Sequence, residues 1–203
     1  MSAATHAATA RGGPPAARRA APPAGGHTAT HPRALAYATH ATGAGPFTIL
    51  ADGDGVVRAA GWTTDPVALA GLVAPSLRVG VTPRARRDIG VASRALRDYL
   101  AGDVGAIDDV PVRQASGPVV ERGWAALRAL PAGAPITYAE LAARCGRPGA
   151  ARAAAAACGR NAVALFVPCH RVVRTGGALG GYRWGLDVKR WLLAHEAGWA
   201  AGS

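Results

Sequence analysis

The chain has 203 residues, a formal net charge of +11 and an isoelectric point near 11.1, and half of its residues are hydrophobic, many of them alanine. That length holds one domain or two small ones. Three cysteines are too few and too odd a set for a disulfide scaffold, no apolar run is long enough to span a bilayer, and a composition this apolar excludes wholesale disorder.

Residues 1–33 carry four arginines, no acid and no large aliphatic run, and they read as a disordered basic tail without the apolar core of a secretory signal. Residues 34–113 balance eight arginines against eight aspartates, whereas residues 114–203 carry a charge of +7. The basic half is therefore the one suited to a nucleic-acid partner.

Residues 34–62 predict strands. "LAYATHATGAG", "PFTIL" and "VVRAAGW" are short apolar runs, and the last two are joined across "ADGDG", a hairpin signal. A helix is predicted near Pro66–Leu72. A second is predicted to open at Thr82 as N-cap with Pro83 at its first position. Ile89, Ala92, Leu96 and Leu100 repeat at helical spacing, and Gly102 stands at the C-terminal cap. This first half, residues 34–113, reads as a small α+β scaffold with no chemical motif.

From Ser116 the pattern turns helical. Val120, Trp124 and Leu127 mark a helix stopped by Pro131. Thr137 and Glu140 form a capping box opening the next, which Gly146 ends, and "GAARAAAAAC" makes a third, closed by Gly159. Helix, short turn, helix in a basic segment reads as a helix-turn-helix, followed by a Gly-rich wing, "RTGGALGGYRWG", and a terminal helix. The third helix has almost no bulk apart from Arg152. It is either a plain alanine-rich helix or one shaped for close approach to a narrow groove.

The chemical focus is "FVPCHRVV", where an apolar strand runs into a Pro-Cys-His turn. A thiol is a nucleophile as thiolate, and its free pKa is about 8.5. His170 beside Cys169, with Glu196 downstream, can form a Cys–His–Glu relay, although His195 and His40 are equally eligible partners. Cys145 and Cys158 fall on predicted helices and read as small packing residues. The cysteines lack the spacing of a zinc site, and no metal or cofactor is expected.

"VPCHRVV", preceded by "TYAELAARCGRPGAAR" and "GRN" and followed by "GYRWGLDVKRWLLAHE", resembles the methylated-DNA–protein-cysteine methyltransferases, the 6-O-alkylguanine-DNA alkyltransferases. The resemblance is strong over residues 114–198, weaker over 34–113 and absent from the tail. It implies an α+β protein, with a small N-terminal α/β (ribonuclease-H-like) domain over 34–113 and a helical winged helix-turn-helix domain over 114–203. It also implies a cytoplasmic monomer that repairs 6-O-alkylguanine and 4-O-alkylthymine in double-stranded DNA, without membrane, metal or cofactor.

By the same resemblance Cys169 is the alkyl acceptor and His170 the base that draws its proton through a water. Glu196 orients that histidine, and Asn161 braces the turn. Tyr138 presses on the target phosphate and donates toward the base, Arg152 fills the hole left by the flipped nucleotide, and Arg160 is a further DNA contact. Tyr182, Arg183, Trp184 and Cys158 form the substrate pocket, with the Val172 carbonyl reading the guanine amine. Apart from the motif, Tyr138 and Tyr182 read as packing aromatics, Arg152 as a phosphate contact, Asn161 as a loop cap and Glu196 as a surface charge.

The sequence departs from the family at Val119-Val120, where Phe-Gln is common, and at Ala162, where Pro is common. It departs again at Arg183-Trp184, where two small residues are frequent. Three other readings compete. A non-catalytic lesion sensor would replace Cys169. A winged-helix transcription factor leaves Pro168-Cys169-His170 unexplained. A cysteine hydrolase needs an oxyanion hole.

Overall fold

In the computed structural model of the chain, residues 34–78 and 82–200 are described, and the expected tail lies outside them. Three antiparallel strands, β1 (Ala36–Thr42), β2 (Gly45–Ala51) and β3 (Val57–Gly61), follow the three apolar runs. Asp52 shapes the β2–β3 turn by accepting the amides of Asp54 and Val56 at 3.0 and 3.1 Å. A short strand β4 (Arg84–Ala85) pairs in parallel with β1 and completes the sheet order β3-β2-β1-β4.

β4 replaces the helix start expected at Thr82. The Arg84 and Arg86 amides donate to the carbonyls of Leu35 and Tyr37, so strand pairing captures the chain just after Pro83. The helix begins later, as α2 (Val91–Ala101), after Gly90 at φ 63°, and it ends at Gly102 in the left-handed conformation as expected. Before it, α1 (Pro66–Ala70) is capped by Asp65, whose carboxylate accepts from the Val67 and Ala68 amides at 2.9 Å.

The second half opens with α3 (Pro118–Arg128), followed by β5 (Ile136–Thr137), α4 (Tyr138–Arg144) and α5 (Ala151–Arg160). The Thr137–Glu140 capping box is formed in both directions. Alanines 154 and 157 of α5 are buried against α3, where Gly123 leaves no room for a side chain: a Cβ there would lie 2.5 Å from that of Ala157. The small residues of α5 thus serve close helix packing on one face, while Ala151, Arg152 and Ala155 are exposed on another.

A 3-10 turn over Cys169–Arg171 leads into β6 (Val172–Val173), which pairs in parallel with β5, and α6 (Leu186–Ala200) closes the fold. The two halves are joined along the outer edge of β3. Val57 exchanges backbone hydrogen bonds with Pro111 and Arg113, and Ala60 does so with Ala162 and Ala164. The core runs continuously from the sheet to the helices, and no helix among the described residues is long and apolar enough to cross a membrane.

Candidate active site

Cys169 sits at the start of the 3-10 turn, 8% exposed, with its amide donating to the Val167 carbonyl at 2.8 Å. Asn161, the C-cap of α5, reaches the same turn. Its Nδ2 donates to the Val167 carbonyl at 2.7 Å and to Cys169 Sγ at 3.2 Å, while its Oδ1 accepts the Val163 amide at 3.0 Å. The intervening loop includes Leu165 at φ 69°, a left-handed conformation that costs a non-glycine residue about 1–2 kcal/mol. The Asn161 bonds span that bend and fix the sulfur's position.

His170 and Glu196 are fully buried and joined Nε2 to Oε1 at 2.8 Å. Glu196 also accepts from Arg171 Nε on both oxygens, from Arg171 Nη2 at 2.9 Å and from the Tyr99 hydroxyl at 3.0 Å. Burial alone would raise the carboxyl's pKa. The hydrogen bonds from His170 and Arg171 and the charge of Arg171 outweigh it and hold the group down at about 2. An ionised Glu196 can only accept, so His170 Nε2 keeps its proton and donates, and Nδ1 carries the lone pair. That nitrogen is buried without a hydrogen-bond partner. Burial pushes the His170 pKa down against the pull of Glu196, so the ring is a neutral base.

Burial also pushes the Cys169 thiol up, with the Asn161 hydrogen bond and the Lys189 charge pulling the other way. A buried thiol next to a neutral base is a nucleophile that must be deprotonated in use. His40 and His195, the alternative partners, are engaged elsewhere. His40 meets Ser93 Oγ at 2.9 Å, and His195 meets the Tyr99 carbonyl at 2.8 Å and stacks on Trp191.

A cavity of about 570 Å³ opens over Cys169. Tyr138, Cys158, Asn161, Tyr182, Arg183 and Trp184 all line it. The Tyr182 hydroxyl is buried without a partner, and the ring leans on Trp62 with centroids 6.3 Å apart. Tyr138 lies against Gly180, where a Cβ would be 2.5 Å from its hydroxyl, and burial raises its pKa, so it remains a proton donor. Trp184 lies across Gly61 of β3, where a Cβ would stand 2.0 Å from the indole. Arg183 Nη2 donates to the Gly159 carbonyl at 2.6 Å.

Of the residues expected at the substrate pocket or the DNA, three do not line this cavity. Val172 is fully buried and its carbonyl accepts Lys189 Nζ at 2.6 Å, so that oxygen is already engaged. Arg152 is exposed on α5, and Arg160 lines a neighbouring cavity. The described residues contain no cluster of metal-ligating side chains.

Four contributors were not legible in the sequence: Arg171, Lys189, Tyr99 and Gln114. From the first half, Tyr99 of α2 reaches the relay carboxylate across 97 residues of sequence. Arg171 directly follows the Cys-His pair, which is the one local signal that pointed to it. Lys189 Nζ ties β6 to the wing by also reaching the Gly180 carbonyl at 3.4 Å.

The family model for the DNA-binding domain of 6-O-methylguanine DNA methyltransferase matches residues 118–198. The chain is 37% identical over 157 residues to a methylated-DNA–protein-cysteine methyltransferase of Shigella flexneri, covering 77% of this chain and 92% of that one. It is 47% identical over 107 residues to a protein of the same name from Salmonella typhimurium, where the match spans 53% of this chain and 63% of the relative's length. Among solved structures, the Mycobacterium tuberculosis O6-methylguanine methyltransferase superposes with a TM-score of 0.65 at 32% identity, covering 81% of this chain and 93% of that one. A Mycobacterium tuberculosis OGT in complex with DNA matches with the same score and identity.

Proposed function

The chain belongs to the methylated-DNA–protein-cysteine methyltransferase family, and we propose that it repairs DNA by taking an alkyl group from 6-O-alkylguanine, and from 4-O-alkylthymine, onto Cys169. The observation that carries this reading is the state of His170. Its Nε2 is committed to an ionised Glu196, and its Nδ1 is a buried, unpartnered acceptor one residue from a buried thiol.

The Cys169 proton passes through a water to His170 Nδ1. The thiolate attacks the saturated carbon in line, the S–C bond forms and the C–O bond breaks. The leaving oxygen takes a proton from the Tyr138 hydroxyl, which burial keeps protonated. Glu196, itself held in place by Arg171, stabilises the imidazolium that results against the unfavourable charge of Arg171. The product thioether has no good leaving group, so each molecule acts once.

The lesion lies within the duplex stack, so the nucleotide must be flipped at a cost of a few kcal/mol. Residues 114–203 are the DNA-binding and acceptor part, with Tyr138 as phosphate lever, Arg152 as finger and Arg160 as a further contact. Residues 34–113 are the domain that supports it. The protein works as a monomer in the cytoplasm. Mixing limiting protein with excess labelled lesion duplex tests the reading: transfer must stop at about one alkyl group per chain. Sustained turnover would identify a hydrolase instead.

A further inference from the structure

The outer edge of β3 pairs with residues 111–113 at Val57 and with residues 162–164 at Ala60. Arg58 stands in the interval between these two junctions. A second cavity, of about 430 Å³, opens there and shares Gly159 and Arg183 with the cavity over Cys169.

Four arginines line it, Arg58, Arg113, Arg160 and Arg183, the last with its Nη2 on the Gly159 carbonyl, against an apolar wall that includes Pro75 and Trp124. Arg58 is the floor. Its side chain is 9% exposed, and its Nε and Nη2 each lie 2.8 Å from Asp52 Oδ2, which neutralises one charge. Its Nη1 is buried and has no hydrogen-bond partner. A buried donor without an acceptor is costly, and three further positive charges converge on the same space with no acid lining it. Such an arrangement calls for an anion with several acceptor oxygens, the chemistry of Arg–phosphate recognition.

We infer that this cavity binds a phosphate group of the DNA strand beside the flipped nucleotide. The proposal rests on the alkyl-transfer reading for its choice of DNA as the source. Arg160 ends α5 and Arg183 lies in the wing, and both of these segments also border the acceptor cavity. A strand that delivers its base to Cys169 therefore passes the mouth of the basic cavity.

The test measures equilibrium binding of a short alkylated duplex at several salt concentrations, using the full chain and its Arg113→Gln and Arg58→Lys variants. Inorganic phosphate is titrated separately by calorimetry. Arg113→Gln is expected to weaken duplex binding several-fold and reduce the salt slope by about one unit. Arg58→Lys keeps the charge and the partner Asp52 but loses the Nη1 donor, so it is expected to weaken binding several-fold at an unchanged slope. Arg113 is exposed, so its variant decides the matter if Arg58→Lys fails to fold. Duplex binding and phosphate binding both unchanged in Arg113→Gln overturn the site. Phosphate binding that depends on Arg113 while duplex binding does not overturns the strand as its source. A wild-type chain that binds duplex in this way yet transfers no alkyl group overturns the proposed chemistry and leaves the phosphate site standing.

Discussion

Gln114 and Asn161 hold each other in place: Gln114 Nε2 donates to Asn161 Oδ1 at 3.1 Å, and Gln114 Oε1 accepts the Ala162 amide at 2.7 Å. This pairing accounts for one departure from the family pattern. A proline after Asn161 has no N–H, whereas Ala162 has one in a position only 5% exposed, and Gln114 supplies its acceptor.

Gln114→Leu should therefore act twice. It strands the Ala162 amide, at a cost of about 1–3 kcal/mol, and it releases the Asn161 side chain that fixes Cys169. Misplacing a reacting atom by about 1 Å can cost a hundredfold, so single-turnover transfer should slow by about ten- to a hundredfold. Gln114→Leu with Ala162→Pro should recover most of the stability, since the orphan donor is gone. Chemical denaturation and transfer kinetics on the single and double variants check both parts.

How much of this was legible in the sequence follows from what kind of contact each feature needs. Elements set by local rules were readable: the Thr137–Glu140 box, Gly102 after α2 and the Asp-Gly turn before β3. The start of α2 was not. Thr82-Pro83 is a sound local signal, but pairing of Arg84 and Ala85 with a strand nearly 50 residues away overrides it. The same division holds at the site. Cys169, His170 and Glu196 came from a spaced motif, whereas Tyr99 and Gln114 reach it through partners 97 and 47 residues away, for which no local pattern exists.

Cys169→Ser should abolish transfer while leaving duplex affinity nearly unchanged. The substitution is nearly isosteric and Asn161 retains an oxygen to donate to, but a hydroxyl near neutral pH is a far weaker nucleophile than a thiolate. Label reaching the serine variant at the wild-type rate would make Cys158, which also lines the cavity, the acceptor.

Acid should remove stability and activity together. Glu196 titrates at about 2 in the fold against an ordinary 4.5, so its contribution is complete above 4.5 and is lost as pH falls towards 2. His170 resists protonation in the fold, so below its ordinary 6.5 the unfolded chain binds the extra proton and stability falls in the same direction. Transfer should be flat above neutrality and decline with a midpoint below 6.5. Glu196→Gln leaves Arg171 buried without its counter-charge, and about 3–5 kcal/mol of stability should be lost. Unfolding midpoints between pH 2 and 8 and transfer rates between pH 4 and 8 read these effects.

Trp184 walls the cavity because Gly61 admits its ring. Methyl adducts should react fast and bulky benzyl adducts slowly, and Trp184→Gly should accelerate benzyl transfer selectively. Gly61→Ala should move the indole from its seat and alter the same selectivity from the opposite side of the contact. If methyl and benzyl rates change in parallel in both variants, the ring serves wing packing alone.

Arg152→Ala should harm repair of duplex DNA far more than transfer from a free alkylated base. Arg152 is exposed on α5, and the residues around it, Ala151, Ala153 and Ala155, are too short to reach beyond the helix surface. The opposite face is fixed by Ala154 and Ala157 against α3, so the helix presents this arginine outward from a rigid seat. A planar guanidinium can stack and hydrogen-bond in the space an extruded base leaves, which recovers part of the few kcal/mol that flipping costs. That recovery exists only where there is a stack to open. A simple phosphate contact differs: its loss weakens binding to single and double strands alike and lowers the salt slope by about one unit. Single-turnover transfer from duplex, single-stranded and free-base substrates separates the two. A loss confined to the duplex assigns the finger role, and an equal loss on both DNA forms with a shallower salt slope assigns an electrostatic anchor.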